Sequence, residues 1–143
     1  MTSVPAGDGL LIHIDGAARG NPGEAGFGIH VLDGDRATEL YGYLGRATNN
    51  VAEYQALLHA LRYALQRGAR RVELCSDSEL VVRQIAGEYK VRHEGLRPLH
   101  REALGLLGRF ERATVRHVPR EQNREADRLA NRAVDERASR LDG

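Results

Sequence analysis

Four carboxylates in this chain fall where one run of structure gives way to another: Asp15, Glu53, Asp77 and Asp127. Asp15 closes the apolar run LLIHID and is followed at once by a glycine-rich turn segment, GAARGNPGEAG. Glu53 stands near the start of a helical stretch, ATNNVAEYQALLHAL, and Asp77 ends RRVELCSD just before SELVVRQIAGEY. Asp127 lies one turn into a last helical stretch, REQNREADRLANRAV. Carboxylates at strand ends and helix starts are placed to converge. A cluster of hard oxygen donors is how proteins hold magnesium for phosphoryl transfer.

Each of the four also has a plainer role open to it. Asn50-x-x-Glu53 has the spacing of a capping box. Asp77 before Ser78 favours the dipole of the helix it introduces. Asp127, with Asn123 and Asn131 four residues to either side, fits the edge of a solvated helical face. Asp15 is the hardest to set aside, because a carboxylate ending a largely apolar strand needs a partner.

The elements that must position these groups follow from the hydrophobic pattern. Residues 10–15 read as a central strand with little polarity on either face. GFGIHVLD and ATELYGYLG read as two more strands, joined by the hairpin signal Asp33-Gly34. A helix with the stripe Val51, Tyr54, Leu58, Leu61 and Leu65 ends near Gly68. A strand from Val72 to Ser76 and a helix from Ser78 to Ala86 follow, with Gly87 as the breaker. Residues 94–108 predict a short helix weakened by Pro98, ATVRHVP a strand, and residues 121–137 a final helix with stripe Ala126, Leu129, Ala130, Ala133 and Val134.

The order is βββαβααβα, which predicts an α/β fold: one mixed five-stranded sheet flanked by helices, with right-handed parallel crossovers. Its parallel strands share a carboxyl edge, where open α/β sheets bind ligands. Asp15 and Asp77 end two strands that qualify as neighbours there. At 143 residues the chain is expected to form a single domain, with residues 1–8 and 138–143 as flexible tails.

Composition narrows the partners. Basic and acidic residues nearly cancel, 21 against 20, so attraction for nucleic acid must be local rather than global. Lys90 is the only lysine, and Cys75, the only cysteine, excludes an internal disulfide and reads as a small buried residue. No apolar stretch approaches the length of a membrane span, and MTSVPAGDG has no signal-peptide character. The expectation is a soluble, cytoplasmic protein that acts as a monomer.

At IDGAARGNPGEAGFG, TNNVAEYQALLHAL, CSDSELVV and NREADRLAN the chain resembles the type 1 ribonuclease H family. These segments run from residue 12 to residue 131 in the family's order. The resemblance implies a ribonuclease H-like fold and metal-dependent endonucleolytic cleavage of the RNA strand of RNA/DNA hybrids. It implies two Mg²⁺ ions, with Mn²⁺ as substitute, held by Asp15, Glu53, Asp77 and Asp127. Asn21 would then contact the RNA backbone across the minor groove, and Thr48 and Asn49 the DNA strand. Four clustered anions repel one another by several kcal/mol at an effective dielectric of ~20, so such a site is hungry for metal.

Two departures from the family pattern matter. Many members carry a loop histidine shortly before the last aspartate, whereas no histidine lies between Pro119 and Asp127 here; His117 is assigned to the strand. Arg120 is nearest the vacant place and can bind phosphate, although a guanidinium does not shuttle protons. The chain also lacks the lysine-rich basic protrusion of some relatives. GEYKVRHEGLRPLHREAL offers Lys90, Arg92, Arg97 and Arg101 as a modest phosphate-binding shoulder, interleaved with Glu88, Glu94 and Glu102. Two other readings stay open: a broader nuclease that also cuts double-stranded RNA, and a non-catalytic hybrid-binding module. The intact carboxylates argue against the second.

Overall fold

The computed structural model describes residues 9–142 and has the expected element order. Five strands, β1 (Gly9–Gly20), β2 (Gly23–Asp33), β3 (Arg36–Ala47), β4 (Arg71–Ser76) and β5 (Arg112–His117), form one sheet in the order β3-β2-β1-β4-β5. The first three are an antiparallel meander; β4 runs parallel to both β1 and β5. The helices are α1 (Asn49–Gln66), α2 (Glu79–Ile85), α3 (Arg97–Leu107) and α4 (Arg124–Glu136).

Strand alternation divides the apolar residues between two faces. Ile12, Ile14, Phe27, Ile29, Leu40 and Leu74 pack with Leu57, Leu58 and Leu61 of α1 in the main core. On the other face α4 lies over β2 and its neighbours, with the whole predicted stripe Ala126, Leu129, Ala130, Ala133 and Val134 buried. The α1 stripe is wider than the sequence pattern suggests. Val51 and Leu65 are only half-buried, while Ala52, Ala56, Ala60 and Ala64 are buried, because α1 is packed between the sheet and α3. Among the described residues, no helix is long and apolar enough to cross a membrane.

Several boundaries differ from expectation for identifiable reasons. β1 does not end at Asp15 but continues to Gly20, and β2 begins at Gly23, so most of the stretch read as a turn is a long hairpin. Gly20, at φ 107°, serves the reversal itself, but Gly16 and, beyond that stretch, Gly28 serve close packing. A Cβ on Gly28 would lie 2.2 Å from the Ala126 carbonyl oxygen, and one on Gly16 would lie 2.4 Å from the Glu53 nitrogen. Both helices therefore approach the sheet where only glycine permits it.

Pro98 does not weaken α3. It sits in the first turn, where its missing N–H has no intrahelical partner to lose. The final helix starts at Arg124, after a separate 3₁₀ turn over Arg120–Gln122, rather than at residue 121. Nor does the segment after α4 trail off. Arg140 exchanges backbone hydrogen bonds of 2.9 and 2.7 Å with Tyr41, and the Tyr43 N–H donates to Ser139 Oγ at 2.9 Å, which docks the tail on β3. The other expected tail, residues 1–8, lies outside the described residues.

Candidate active site

The β1–β4 pairing stops at Ile14 and Ser76, so Asp15 and Asp77 are the next residues on two parallel neighbours. Asp15 is thus mid-strand in β1 yet at the carboxyl edge of the parallel pair. Asp77 leaves β4 there, and Ser78 caps α2 by accepting from the Val81 N–H.

Glu53 arrives from α1. The cap of that helix is Thr48, whose Oγ1 accepts from the Val51 N–H at 3.2 Å, so the Asn50–Glu53 capping box is not formed. Glu53 instead points at the sheet and accepts from the Gly16 N–H at 2.8 Å. Asp127 comes from the first turn of α4, whose start is pinned by Asn123. This asparagine is fully buried and donates through Nδ2 to the Ile14 carbonyl at 2.8 Å, one residue from Asp15.

One carboxylate oxygen each from Asp15, Glu53 and Asp77 lie within 4.8 Å of one another. Asp127 lines the same cleft of about 440 Å³, and its side chain interacts with that of Asp15. Asp15 and Glu53 are each only 5 % exposed. Burial, and then the neighbouring charges of Glu53 and Asp77, hold the Asp15 carboxyl far above the usual carboxylate range. Burial also raises Glu53, with Asp77 adding to the effect and the Gly16 hydrogen bond opposing it. None of the ion pairs formed by the described residues involves any of the four. An all-oxygen donor set, pre-converged and without a cation partner among the described residues, fits a hard divalent metal such as Mg²⁺ or Mn²⁺.

The remaining predicted residues gather at the rim in different ways. Asn49 and Arg120 line the cleft. Asn21 stands beside it and accepts through Oδ1 from the Asn49 N–H at 2.9 Å, tying the β1–β2 turn to the start of α1. Thr48 is occupied in part as the helix cap. His117 belongs to β5, as expected, and is exposed. Of the basic shoulder, Lys90 and Arg92 line a neighbouring groove with Asn50 and Tyr89, whereas Arg97 donates to the Val91 carbonyl and holds the loop together.

Two cleft residues with polar side chains were not foreseen, Arg19 and Asn131. The available signals were small: Asn131 follows Asp127 by one helical turn, and Arg19 shares a strand face with Asp15 only if β1 continues past the glycines.

Residues 13–133 match a family profile described as reverse transcriptase-like. A bifunctional protein of Mycobacterium tuberculosis is 45% identical over 129 residues, covering 88% of this chain and 35% of its own length. The chain therefore spans about a third of that relative. The solved structure of that protein's N-terminal RNase H domain, 42% identical, matches with a TM-score of 0.86 over 91% of this chain and 96% of the other. Ribonuclease H of Methylococcus capsulatus is 33% identical over 144 residues, covering 89% of this chain and 90% of its own. The structure of LC11-RNase H1 in complex with an RNA/DNA hybrid is 39% identical, with a TM-score of 0.82 over 90% of this chain and 98% of that one.

Proposed function

The chain belongs to the type 1 ribonuclease H family, and we propose that it hydrolyses the RNA strand of RNA/DNA hybrids at the Asp15–Glu53–Asp77–Asp127 site with two divalent cations. The observation that carries this reading is the convergence of four carboxylates from four separate elements on one cleft, three of them within 4.8 Å and none paired with a cation among the described residues. The similar LC11-RNase H1, solved with a hybrid bound, supports the substrate class.

Bound cations of this kind lower the pKa of a water nucleophile and stabilise charge on the scissile phosphate and the leaving oxygen. The chain's own part is to hold its donors in place. Glu53 is locked by the Gly16 N–H, Asp15 by its place in a central strand, and Asp127 by the Asn123 anchor at the head of α4. Asn21, Thr48 and Asn49 sit together at the start of α1, where the duplex backbone is gripped. Asn21 Nδ2, which engages nothing among the described residues, can donate to an acceptor oxygen while its Oδ1 holds Asn49, and the Thr48 hydroxyl can donate to phosphate while it caps the helix. Arg120 supplies the one guanidinium of the 3₁₀ turn lining the cleft, in place of a loop histidine. Lys90 and Arg92 extend the positive rim along a second groove.

The test is cleavage of end-labelled hybrid, double-stranded RNA and double-stranded DNA with and without Mg²⁺. Metal-dependent cutting of the RNA strand of the hybrid is expected. Equal cutting of double-stranded RNA would make the enzyme a broader nuclease, and binding of hybrid without cleavage in any metal would overturn the assignment.

A further inference from the structure

Asp127 differs from the other three carboxylates. It falls outside the trio whose oxygens lie within 4.8 Å, and it is half-buried on a surface helix, where Glu53, the other helical member, is buried and held by the Gly16 N–H. A helical aspartate has free rotamers unless something fixes it. Here Asn131, one turn later, donates through Nδ2 to the Asp127 carbonyl at 3.0 Å and to its Oδ1 at 3.4 Å.

The other end of that amide is also engaged. Arg19 donates to Asn131 Oδ1 at 3.2 Å, and its second terminal nitrogen pairs with Asp135 at 2.7 Å. Residues 127, 131 and 135 follow one another along one face of α4, and Arg19 reaches them from β1, four residues beyond Asp15. Only a neutral amide serves in the middle. It offers a donor to a carboxylate and an acceptor to a guanidinium at once, and the charged ends fix which way round it lies.

We infer that Asn131 is a positioning residue for Asp127 and that Arg19 orients Asn131, so that β1 sets the place of the α4 carboxylate relative to Asp15. This rests on the cation-site reading above and adds a control on the outermost metal ligand. Partners that orient a ligand typically change metal affinity by roughly 10–100-fold when removed. They act on binding before any substrate is present.

The experiment is calorimetric titration of Mn²⁺ into substrate-free protein, alongside hybrid cleavage across a range of metal concentrations. Asn131→Ala is expected to weaken the weaker Mn²⁺ step by about tenfold, while the tighter step is unchanged. Half-saturating metal for cleavage should rise in parallel. Arg19→Met, at an exposed position on β1 rather than on α4, reads the same relay and should give a smaller loss in the same direction. The double variant should be no worse than Asn131→Ala alone, since one link is already cut.

Unchanged Mn²⁺ affinities in both single variants, with only a raised KM for hybrid, would make these residues substrate contacts and overturn the inference. Additive losses in the double variant would also overturn it. Should the wild type itself bind no Mn²⁺, the cation-site reading fails instead, and the two failures are thereby told apart.

Discussion

Among the described residues two groups of converging side chains have metal-ligand chemistry, and they have opposite fates. In one, Asp15, Glu53 and Asp77 bring ligand atoms within 4.8 Å; in the other, His30, Glu39 and Glu125 do the same. His30 and Glu39 are cross-strand partners on β2 and β3, and Glu125 reaches them from the first turn of α4. Arg128 closes that second group by donating to both Glu39 and Glu125. Its hydrogen bond and charge hold Glu125 below the usual carboxylate range, while burial and mutual repulsion push Asp15 and Glu53 above it. The second group is complete as folded. The first is a set of anions held together by the fold and paired with no cation among the described residues, which is the reason to expect function there.

The largest expected effect separates the groups by activity. Asp15→Asn should lower hybrid cleavage by about a thousandfold or more, since several kcal/mol of charge stabilisation depend on the site. Glu39→Gln should leave turnover within about twofold, as an exposed ion pair contributes little. Steady-state cleavage rates decide this, and comparable losses in both would erase the distinction.

Next comes Arg120, the cation at the rim of the first group. If it contacts the scissile or adjacent phosphate, Arg120→Ala should cut turnover by roughly tenfold, in line with ~1.5–3 kcal/mol for a charged hydrogen bond. Arg120→Lys should recover only part of that, because it lacks the bidentate fork. Wild-type turnover for Arg120→Ala at saturating hybrid would make this arginine a bystander.

Stability offers a smaller but cleaner contrast. Neutralising Asp77 relieves repulsion, so Asp77→Asn should raise the metal-free melting temperature by about 2–4 °C, and Mn²⁺ should stabilise the wild type but not this variant. Arg128→Met should move the midpoint slightly the other way. Differential scanning fluorimetry with and without Mn²⁺ reads both, and a lower metal-free midpoint for Asp77→Asn would refute the repulsion argument.

The pH dependence follows from the signs of the shifts. Asp15 and Glu53 hold protons more tightly folded than unfolded, so their contribution is most favourable below the unfolded carboxylate pKa of about 4. It is lost as pH rises toward and through their raised folded values. Metal-free stability should thus gain from acid at this site, and bound Mn²⁺ should reverse the slope by replacing the protons. Glu125 runs the other way. Its lowered pKa gives a contribution present above about pH 4 and lost below it, small because the group is exposed. Chemical denaturation from pH 5 to 8 with and without Mn²⁺ checks this, and parallel slopes would contradict it.

The sequence made the first group legible and left the second hidden. Asp15, Glu53, Asp77 and Asp127 each sit beside a change of hydrophobic period, and the parallel topology brings those changes to one edge. His30, Glu39, Glu125 and Arg128 sit inside elements, so only the strand register and the seating of α4 reveal them. The same blindness hid Arg19 and Asn131, because β1 was expected to stop at Asp15. Gly16 was read as part of a turn, whereas it is there because the backbone of α1 presses against the sheet, as that of α4 does at Gly28. Burial of a helix against a strand leaves no local signature distinct from that of a reversal. The tail after α4 was misread likewise: its hold on β3 is made by backbone groups of Tyr41, Tyr43 and Arg140 and the small Ser139 hydroxyl.

The most direct test of the contrast is calorimetric titration of Mn²⁺ into three substrate-free proteins: wild type, Asp15→Asn, and the Glu39→Gln/Arg128→Met double variant. Binding that is retained in the double variant and lost in Asp15→Asn is the expected result. Binding that survives Asp15→Asn but disappears with Glu39 and Arg128 altered would place the cation in the wrong cluster and contradict the assignment of the active site.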